Sequence, residues 1–253
     1  MTAAAILRNK LASKPVFGTF LKLGRREVVE ILARAGLDFV ICDLEHAQIT
    51  EQEAGTVILA GISCGLPVIV RLPEFNAGLI NRLLEAGAAG IQLPQVRTCR
   101  DVELFRNAMK YPPEGQRSIS LAQPAANYGA EPLAEYIQRA NKEALLVGQL
   151  ESNQPEPLEQ LIRGLDVAFI GTLDLSVDMG KPLDHPEVQQ RLREIERATA
   201  AANVHLGIYA DSPARAVQAA AAGYRYIAIS SDLGALSGAA KSWVSQVQRE
   251  KKS

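Results

Sequence analysis

Acidic and imidazole side chains that could perform acid–base chemistry follow a short apolar run near residue 40. The stretch FVICDLEHA begins at Phe39 and places Asp43, Glu45 and His46 within four positions. Carboxylate neighbours orient an imidazole and select its tautomer, which suits a general base. A lone histidine is more often a structural hydrogen-bonding residue, so spacing alone leaves both interpretations of His46 open.

Two further carboxylates follow apolar runs later in the chain. Glu151 ends the stretch LLVGQLE, and Asp174 lies in GTLDLS, directly after VAFI. A pair of carboxylates suits a hard divalent cation such as Mg²⁺ or Mn²⁺, which prefers oxygen ligands and keeps positions open for substrate and water. The alternatives are helix caps or ion-pair partners. A glycosidase dyad is disfavoured because aromatic residues, the usual sugar platforms, make up only 5% of the chain.

Two arginines bear on anion binding. Arg71 ends the apolar stretch VIVR, where an unpaired guanidinium would be costly to bury. Arg71 therefore either pairs with a nearby carboxylate or faces an anionic substrate. Arg117, in GQRSIS, could also bind an anion, although a surface loop arginine is the simpler interpretation.

The elements that must position these residues are strands alternating with helices. Short apolar runs rich in β-branched residues alternate with segments of helical period. Most of the runs are continuously apolar, which is typical of parallel strands covered on both faces. The eight predicted strands begin at Val16, Phe39, Pro67, Gly90, Leu145, Val167, His205 and Tyr226. The predicted helices cover residues 25–36, 51–64, 76–87, 99–110, 131–142, 155–163, 187–203, 212–222 and 233–249.

Eight β-then-α units in a chain of 253 residues predict an α/β fold, a (β/α)8 TIM barrel that forms a single domain over residues 1–253. An open doubly wound sheet is the second choice, and no G-x-G-x-x-G follows any strand to indicate a Rossmann nucleotide site. In a barrel, the chemistry lies at the carboxyl ends of the strands. The strand-end residues all fall there: Asp43, Glu45, His46, Arg71, Glu151 and Asp174. The amino ends carry few such residues, and this asymmetry indicates an enzyme.

The one long departure from the alternation is the segment 111–143, which separates a predicted helix from the fifth predicted strand. It contains a loop rich in Gly and Pro, YPPEGQRSIS, ahead of the predicted helix 131–142. Insertions of this kind often serve as binding loops or lids. We therefore expect the insertion to take part in substrate recognition.

Composition excludes several classes of partner. The formal net charge is −1 and the pI is about 6.3, so nothing indicates binding to nucleic acid or to an anionic membrane. No apolar run approaches the roughly 18 residues of a transmembrane helix. The first residues lack the apolar core and cleavage site of a secretory signal, and we expect a cytoplasmic protein.

Five motifs, taken together and in order, resemble one enzyme family. CDLEHA, VRLP, GQRS, GQLES and FIGTLDLS occur in the order and spacing of the class II pyruvate aldolases of the HpcH/HpaI type. The resemblance covers about residues 6–250. The same group includes 2-dehydro-3-deoxyglucarate and 4-hydroxy-2-oxo-heptanedioate aldolases. The stretch SSDLGAL near Ser230, at the end of the last predicted strand, is also similar to these enzymes.

The resemblance implies an activity and a cofactor. The expected reaction is the reversible cleavage of a 4-hydroxy-2-oxo acid to pyruvate, or a related 2-oxo acid, and an aldehyde through a metal-bound enolate. The cofactor would be a divalent cation, Mg²⁺, Mn²⁺ or Co²⁺, held by Glu151 and Asp174. The partners would be small molecules, a 2-oxo acid and an aldehyde.

The resemblance also implies residue roles. Arg71 would stabilise the enolate oxygen, Gln149 would hydrogen-bond the oxo acid, and the backbone N–H groups of Leu173 and Asp174 would hold its carboxylate. His46 would act, through water, as the base that removes the C4 hydroxyl proton. Asp43 would orient metal-bound water, and Glu45 would be a supporting residue beside it. Glu85 would pair with His46 from a neighbouring subunit.

The resemblance further implies a homohexamer, a trimer of dimers, in which the last helix packs on a neighbouring barrel. Thr172, Ser118 and Glu85 stand where the family commonly has proline, glycine and aspartate, and Phe20 stands where some members have tryptophan. None of these differences removes an implied metal ligand. They bear on substrate preference more than on the class of reaction.

Three other functions remain as alternatives. A related lyase could apply the same metal and enolate chemistry to an acyl-CoA thioester, but no basic groove for CoA is evident. A Schiff-base aldolase needs a lysine at a strand end, for which Lys22 is the plausible candidate. A non-catalytic barrel that senses 2-oxo acids is the third.

Overall fold

Eight parallel strands close into a barrel in the order of the chain, β1 to β8, in this computed structural model, which describes residues 1–153 and 156–251. The predicted (β/α)8 barrel is confirmed, and the open sheet is excluded because β1 pairs with β8. The strands are β1 Val16–Leu21, β2 Phe39–Asp43, β3 Val68–Arg71, β4 Gly90–Leu93, β5 Leu145–Leu150, β6 Val167–Ile170, β7 His205–Ala210 and β8 Tyr226–Ser231.

Eleven α-helices and one short 3₁₀ segment, Pro124–Gly129, occur within the described residues. All nine predicted helices are present, with ends that differ from prediction by a few residues, and residue 155 of one prediction lies outside the described residues. The helices are α1 Ala3–Ser13, α2 Arg26–Arg34, α3 Glu51–Cys64, α4 Ala77–Ala86, α5 Cys99–Met109, α6 Leu133–Glu143, α7 Leu158–Ile162, α8 Thr172–Asp178, α9 Pro186–Ala201, α10 Pro213–Ala221 and α11 Asp232–Glu250. None of these helices is long and apolar enough to cross a bilayer.

Two apolar layers hold the barrel together. The inner layer fills the barrel with side chains from alternate strand positions, and the rings of Phe39 and Tyr226 stack there with centroids 4.2 Å apart. The outer layer lies between strands and helices and includes Val40, Val70 and Ile91. Because both faces of most strands are covered, most strand sequences are continuously apolar.

Helix α1 was not predicted, and it covers the amino end of the barrel. Its Leu7 and Leu11 are fully buried among the inner-layer side chains. Arg8 forms two hydrogen bonds with Asp166, of 2.7 and 2.8 Å. Lys10 forms an ion pair with Asp38 at 2.7 Å. Asp38 and Asp166 precede strands, so the polar residues at the amino ends fasten this helix to the barrel.

The insertion 111–143 lies at the amino end of the barrel, so within one chain it does not cover the carboxyl ends of the strands. Its part in substrate recognition stays a prediction. The segment follows helix α5, which returns the chain to the amino ends, and it leads into the start of β5. Its Tyr111, Ala126 and Tyr136 form a small core of their own. Topology therefore places this segment away from the carboxyl ends of the same barrel.

Candidate active site

The carboxyl ends of the strands bring most of the predicted site residues together. A cavity of about 220 Å³ lies there, between the loop after β2, the loop after β4, the end of β5 and helix α8. Its lining includes Glu45, His46, Gln95, Arg97, Glu151 and Asp174. Three predicted site residues from separate strands thus share one cavity with His46.

A buried ion-pair network begins beneath this cavity. Arg71 donates from Nε to Asp43 Oδ1 at 2.9 Å and from Nη2 to Oδ2 at 2.8 Å. Lys22 Nζ also reaches Asp43 Oδ2, at 2.7 Å. Burial alone would raise the pKa of Asp43, but the hydrogen bonds and charges of Arg71 and Lys22 outweigh it and lower the pKa to about 2. Asp43 is therefore a fixed anion, and Lys22 serves as its counter-ion, which disfavours the Schiff-base alternative.

Arg71 has a second carboxylate partner and an aromatic neighbour. Its Nη1 lies 3.1 Å from Glu45 Oε2, and its guanidinium carbon lies 4.6 Å from the centre of the Phe20 ring. Two acidic partners and a ring hold the guanidinium in one orientation. The first of the two alternatives for Arg71, pairing with a local carboxylate, is thus confirmed. Because a guanidinium has five N–H donors, the pairing leaves donors for an anion as well.

Glu151, which is buried, and Glu45, which is half-buried, are both repelled by other carboxylates. Burial, followed by repulsion from Asp43 and Asp174, raises the pKa of Glu45 despite the charge of Arg71. Burial likewise raises the pKa of Glu151, and Asp174 and Glu45 add to this effect against hydrogen bonds that lower it. Glu45, Glu151 and Asp174 therefore repel one another across the cavity, and a bound cation would relieve this repulsion.

A line of amide side chains orients Glu151. Gln92 Nε2 donates to Gln149 Oε1 at 2.7 Å, and Gln149 Nε2 donates to Glu151 Oε2. The backbone N–H of Gln95 donates to Glu151 Oε1 at 2.6 Å. Sequence reasoning missed Gln92 and Gln95. The signal for Gln92 was a single amide within the apolar strand GIQL, whereas the positive φ of Gln95 (51°) left no mark in the sequence.

Helix α8, which was not predicted, positions Asp174 and the backbone beside it. Leu173 and Asp174 lie in its first turn, where backbone N–H groups have no partner within the helix. The preceding Gly171 approaches Glu151 so closely that a Cβ there would lie 2.6 Å from Glu151 Oε2. Only glycine lets β6 and Glu151 pack in this way.

His46 lies at the rim of the cavity. Its side chain is 57% exposed, and its Nε2 is 3.7 Å from Glu45 Oε2. Its backbone N–H donates to Asp43 Oδ1 at 3.2 Å, which fixes the loop after β2. The imidazole can therefore reach a substrate in the cavity while its backbone is held by the buried network.

Glu85, another predicted site residue, lies away from the carboxyl ends of the strands of its own barrel. It lies near the end of α4, the helix that runs from the carboxyl end of β3 to the amino end of β4. Its side chain is buried there and accepts a hydrogen bond from Asn81 Nδ2 at 3.3 Å. Within one chain, Glu85 and His46 therefore lie at opposite ends of the barrel.

The donor set of the cavity fits a hard divalent cation. Glu151 and Asp174 supply carboxylate oxygens, and their mutual repulsion would be neutralised by a positive ion. No group of three or more His, Cys, Asp or Glu side chains within residues 1–153 and 156–251 forms a complete metal site. Two carboxylate ligands would leave the other positions of a bound cation open for substrate and water.

Comparison with known proteins agrees with this geometry. The family model described as HpcH/HpaI aldolase/citrate lyase matches residues 16–239. The hydroxypyruvate/pyruvate aldolase of Paraburkholderia phytofirmans is 31% identical over 239 residues, covering 90% of this chain and 91% of that protein. The 5-keto-4-deoxy-D-glucarate aldolase of Escherichia coli (strain K12) is 33% identical over 232 residues, covering 88% and 89%.

A solved structure gives the same relationship in three dimensions. The HpcH/HpaI aldolase from Desulfitobacterium hafniense superposes with a TM-score of 0.90 at 29% identity, covering 96% of this chain and 97% of that one. The expected enzyme class, a carbon–carbon lyase of the aldolase type, is confirmed. This chain belongs to the HpcH/HpaI aldolase/citrate lyase family.

Proposed function

We propose that the protein is a metal-dependent aldolase that reversibly cleaves a 4-hydroxy-2-oxo acid to pyruvate, or a related 2-oxo acid, and an aldehyde. The observation that carries this proposal is the convergence of Glu151 and Asp174 on one cavity beside a firmly held Arg71. The names of the relatives, a hydroxypyruvate/pyruvate aldolase and a keto-deoxy-glucarate aldolase, support the substrate class.

Glu151 and Asp174 would hold the cation, which we propose to be Mg²⁺, Mn²⁺ or Co²⁺. When bound, the cation acts as a Lewis acid that polarises the 2-oxo group. Gln149 keeps Glu151 in place through its amide and has a second N–H for the oxo acid. The first-turn N–H groups of Leu173 and Asp174 would bind the carboxylate of the oxo acid.

Arg71 would stabilise the charge that develops on the C2 oxygen. Its pairing with Asp43 and Glu45 fixes the guanidinium before substrate binds, so no reorganisation is needed when the enolate forms. Asp43 is the anchor of this arrangement and would also orient water in the cavity. Arg71 would contact the substrate itself, whereas Asp43 and Glu45 would position the Arg71 guanidinium.

His46 would move the proton. In the cleavage direction, its imidazole takes the proton of the C4 hydroxyl, through a water where the distance requires it. The C3–C4 bond then breaks, its electrons form the enolate of the oxo acid, and the aldehyde leaves. Protonation of the enolate at C3 completes the reaction. The exposed position of His46 leaves room for an aldehyde of considerable size.

Glu85 would act on the site of another subunit. Within a chain it lies at the wrong end of the barrel, so a pairing with His46 requires a neighbouring copy. Helix α11 presents large exposed apolar side chains that suit such an assembly, and we propose a homohexamer of single-domain chains in the cytoplasm. These side chains are Leu233, Leu236, Trp243, Val244 and Val247.

The test is pyruvate release from a panel of 4-hydroxy-2-oxo acids after treatment with EDTA, with Mg²⁺, Mn²⁺ or Co²⁺ added back. We expect the wild type to release pyruvate only when a metal is present. We expect Arg71→Ala to release no pyruvate, although it still folds. Folded protein that releases nothing with any metal would contradict the proposal. An acyl-CoA thioester in the same panel tests the related lyase activity.

A further inference from the structure

A second cavity lies at the amino end of the barrel, opposite the candidate active site. Its volume is about 170 Å³, far more than the 10–15 Å³ that holds one water molecule. The walls come from the start of α1, the ends of α3 and α4, and the insertion 111–143. None of its lining residues belongs to the site described above.

Arg117, in the wall of this cavity, is a buried cation without an acidic partner. Its residue is only 7% exposed, so the expectation of a surface loop arginine is wrong. Its Nε donates to Asn81 Oδ1 at 2.7 Å, and its guanidinium lies 4.5 Å from the centre of the Tyr111 ring. Its Nη2 is buried and has no hydrogen-bond partner, and it forms no ion pair in the parts of the chain that the structure describes.

Arg139, in the same wall, differs from Arg117 because its guanidinium is paired with acidic side chains. It donates to both carboxylate oxygens of Glu131 and to the carbonyl oxygen of Ala125. It also forms an ion pair with Glu143 at 3.5 Å. The charge of Arg139 is therefore neutralised within the chain, whereas the charge of Arg117 has no acidic partner among the described residues. An unpaired buried charge is costly, which points to an anion from outside the chain.

The chemistry of the walls defines the anion. Most of the lining is apolar, including Ile62, Leu84, Pro124 and Ala140, which suits a hydrocarbon body. One unpaired guanidinium matches a single negative charge, and Glu143 in the wall would repel a second one. A carboxylate accepts the parallel N–H donors of a guanidinium, whereas a phosphate dianion would bring more charge than the site balances.

We propose that this cavity binds a small organic monocarboxylate, with its carboxylate on Arg117 and its aliphatic chain among the apolar walls. The ligand would tie the insertion to α1 and α4. The inference rests on the cavity and on Arg117 alone, and it does not depend on the proposed aldolase activity.

The test is calorimetric titration of the full-length protein with sodium butyrate against a sodium chloride control of equal ionic strength. We expect saturable binding, and protection from hydrogen–deuterium exchange in peptides of α1 and of the insertion. Arg117→Gln should weaken binding by about tenfold or more, because the charge-assisted hydrogen bonds are lost. Arg71→Ala, at the other end of the barrel, should bind butyrate as the wild type does.

A second variant guards against a simple loss of folding. Ala140→Leu keeps Arg117 but fills the cavity, and it should also abolish binding while circular dichroism reports a native fold. Absence of saturable binding to the wild type would mean that water alone fills the cavity and would overturn the proposal. So would binding that is unchanged in Ala140→Leu, or protection confined to the carboxyl ends of the strands.

Discussion

Asp43 accepts two parallel hydrogen bonds from Arg71, of 2.9 and 2.8 Å, at the carboxyl ends of adjacent strands. The pair is buried, since the Asp43 side chain is 0% exposed and that of Arg71 is 8% exposed. A guanidinium held at two points cannot rotate freely, so its remaining donors face a fixed direction. The position of Arg71 is therefore a property of Asp43 as much as of Arg71 itself.

The first prediction concerns the buried ion pair between Asp43 and Arg71. Asp43→Asn removes the charge and leaves the buried guanidinium with Glu45 as its remaining acidic partner. We expect a destabilisation of about 3 kcal/mol, the cost of breaking a buried pair, and a fall in kcat of roughly 100-fold, as when a stabilising donor is lost. Urea unfolding and steady-state kinetics measure the two effects.

Lys22→Met is the matched control for that variant. It removes the second cation on Asp43, but the Lys22 side chain is 25% exposed, so water replaces part of the interaction. Its effect on stability should be about 1 kcal/mol or less. Equal effects of Asp43→Asn and Lys22→Met would show that Arg71 is not the residue that Asp43 serves.

The second prediction is the pH dependence that this pair produces. The pKa of Asp43 is about 2 in the folded protein, against 3.8 for an ordinary aspartate. Because the folded-state pKa is the lower one, the stabilisation is complete above about pH 4 and is lost as the pH falls towards 2. The difference of nearly two pH units corresponds to a free energy on the order of 2 kcal/mol.

The measurement is the free energy of unfolding of the wild type and of Asp43→Asn between about pH 5 and pH 2. The gap between the two proteins should narrow as the pH falls. Asp184→Asn, which removes an exposed carboxylate, controls for the general loss of a negative charge. A gap that stays constant with pH would mean that the ionisation of Asp43 is not what stabilises the fold.

The barrel was predictable because its signals are repeated eight times along the chain. Each strand is an apolar run, and several helix ends carry local markers, such as the capping box of Thr50 and Glu53 and the glycine at Gly65 with positive φ. Helix α1 was missed because its two buried leucines, Leu7 and Leu11, form too short a pattern to stand out. Their burial depends on a barrel end that the local sequence does not reveal.

The clustering of the candidate site residues was predictable, and the residues that support them were less so. Asp43, Arg71 and Glu151 were expected to lie close together because strand ends converge in any barrel. The position of the insertion at the amino end follows from its place after a helix and before a strand, whereas its composition alone does not locate it. Arg117 was misjudged because burial in a loop depends on the distant segments that pack over it.

The third prediction concerns Gly171. Gly171→Ala would bring a methyl group within 2.6 Å of Glu151 Oε2 and 2.8 Å of Glu151 Cβ, so Glu151 must move. We expect the affinity for Mn²⁺ to fall by about 10- to 100-fold, as when the support of a ligand is removed. Calorimetric titration of the metal-free protein with Mn²⁺ measures the change.

Gly55→Ala is the control, because nothing lies within 4 Å of a Cβ at Gly55. That residue is within helix α3, where alanine is preferred to glycine by roughly 1 kcal/mol. Gly55→Ala should therefore bind Mn²⁺ normally and be slightly more stable. Unchanged Mn²⁺ binding in Gly171→Ala would show that Glu151 does not hold the cation.

The fourth prediction tests the proposed division of the site between subunits. His46 and Glu85 lie at opposite ends of one barrel, so a shared site must take them from different chains. His46→Ala and Glu85→Gln should each be nearly inactive alone. Co-expression should restore roughly one quarter of the wild-type activity, since each site in a symmetric assembly would draw the two residues from randomly combined chains.

The double variant His46→Ala/Glu85→Gln, co-expressed with an inactive His46→Ala chain, is the matched control and should restore nothing. Sedimentation of each sample establishes that the chains still assemble. Full activity of Glu85→Gln alone would remove Glu85 from the mechanism. An inactive mixture of assembled chains would mean that the two residues never meet in one site, and the base His46 would then depend on Glu45, the acidic side chain 3.7 Å away in its own chain.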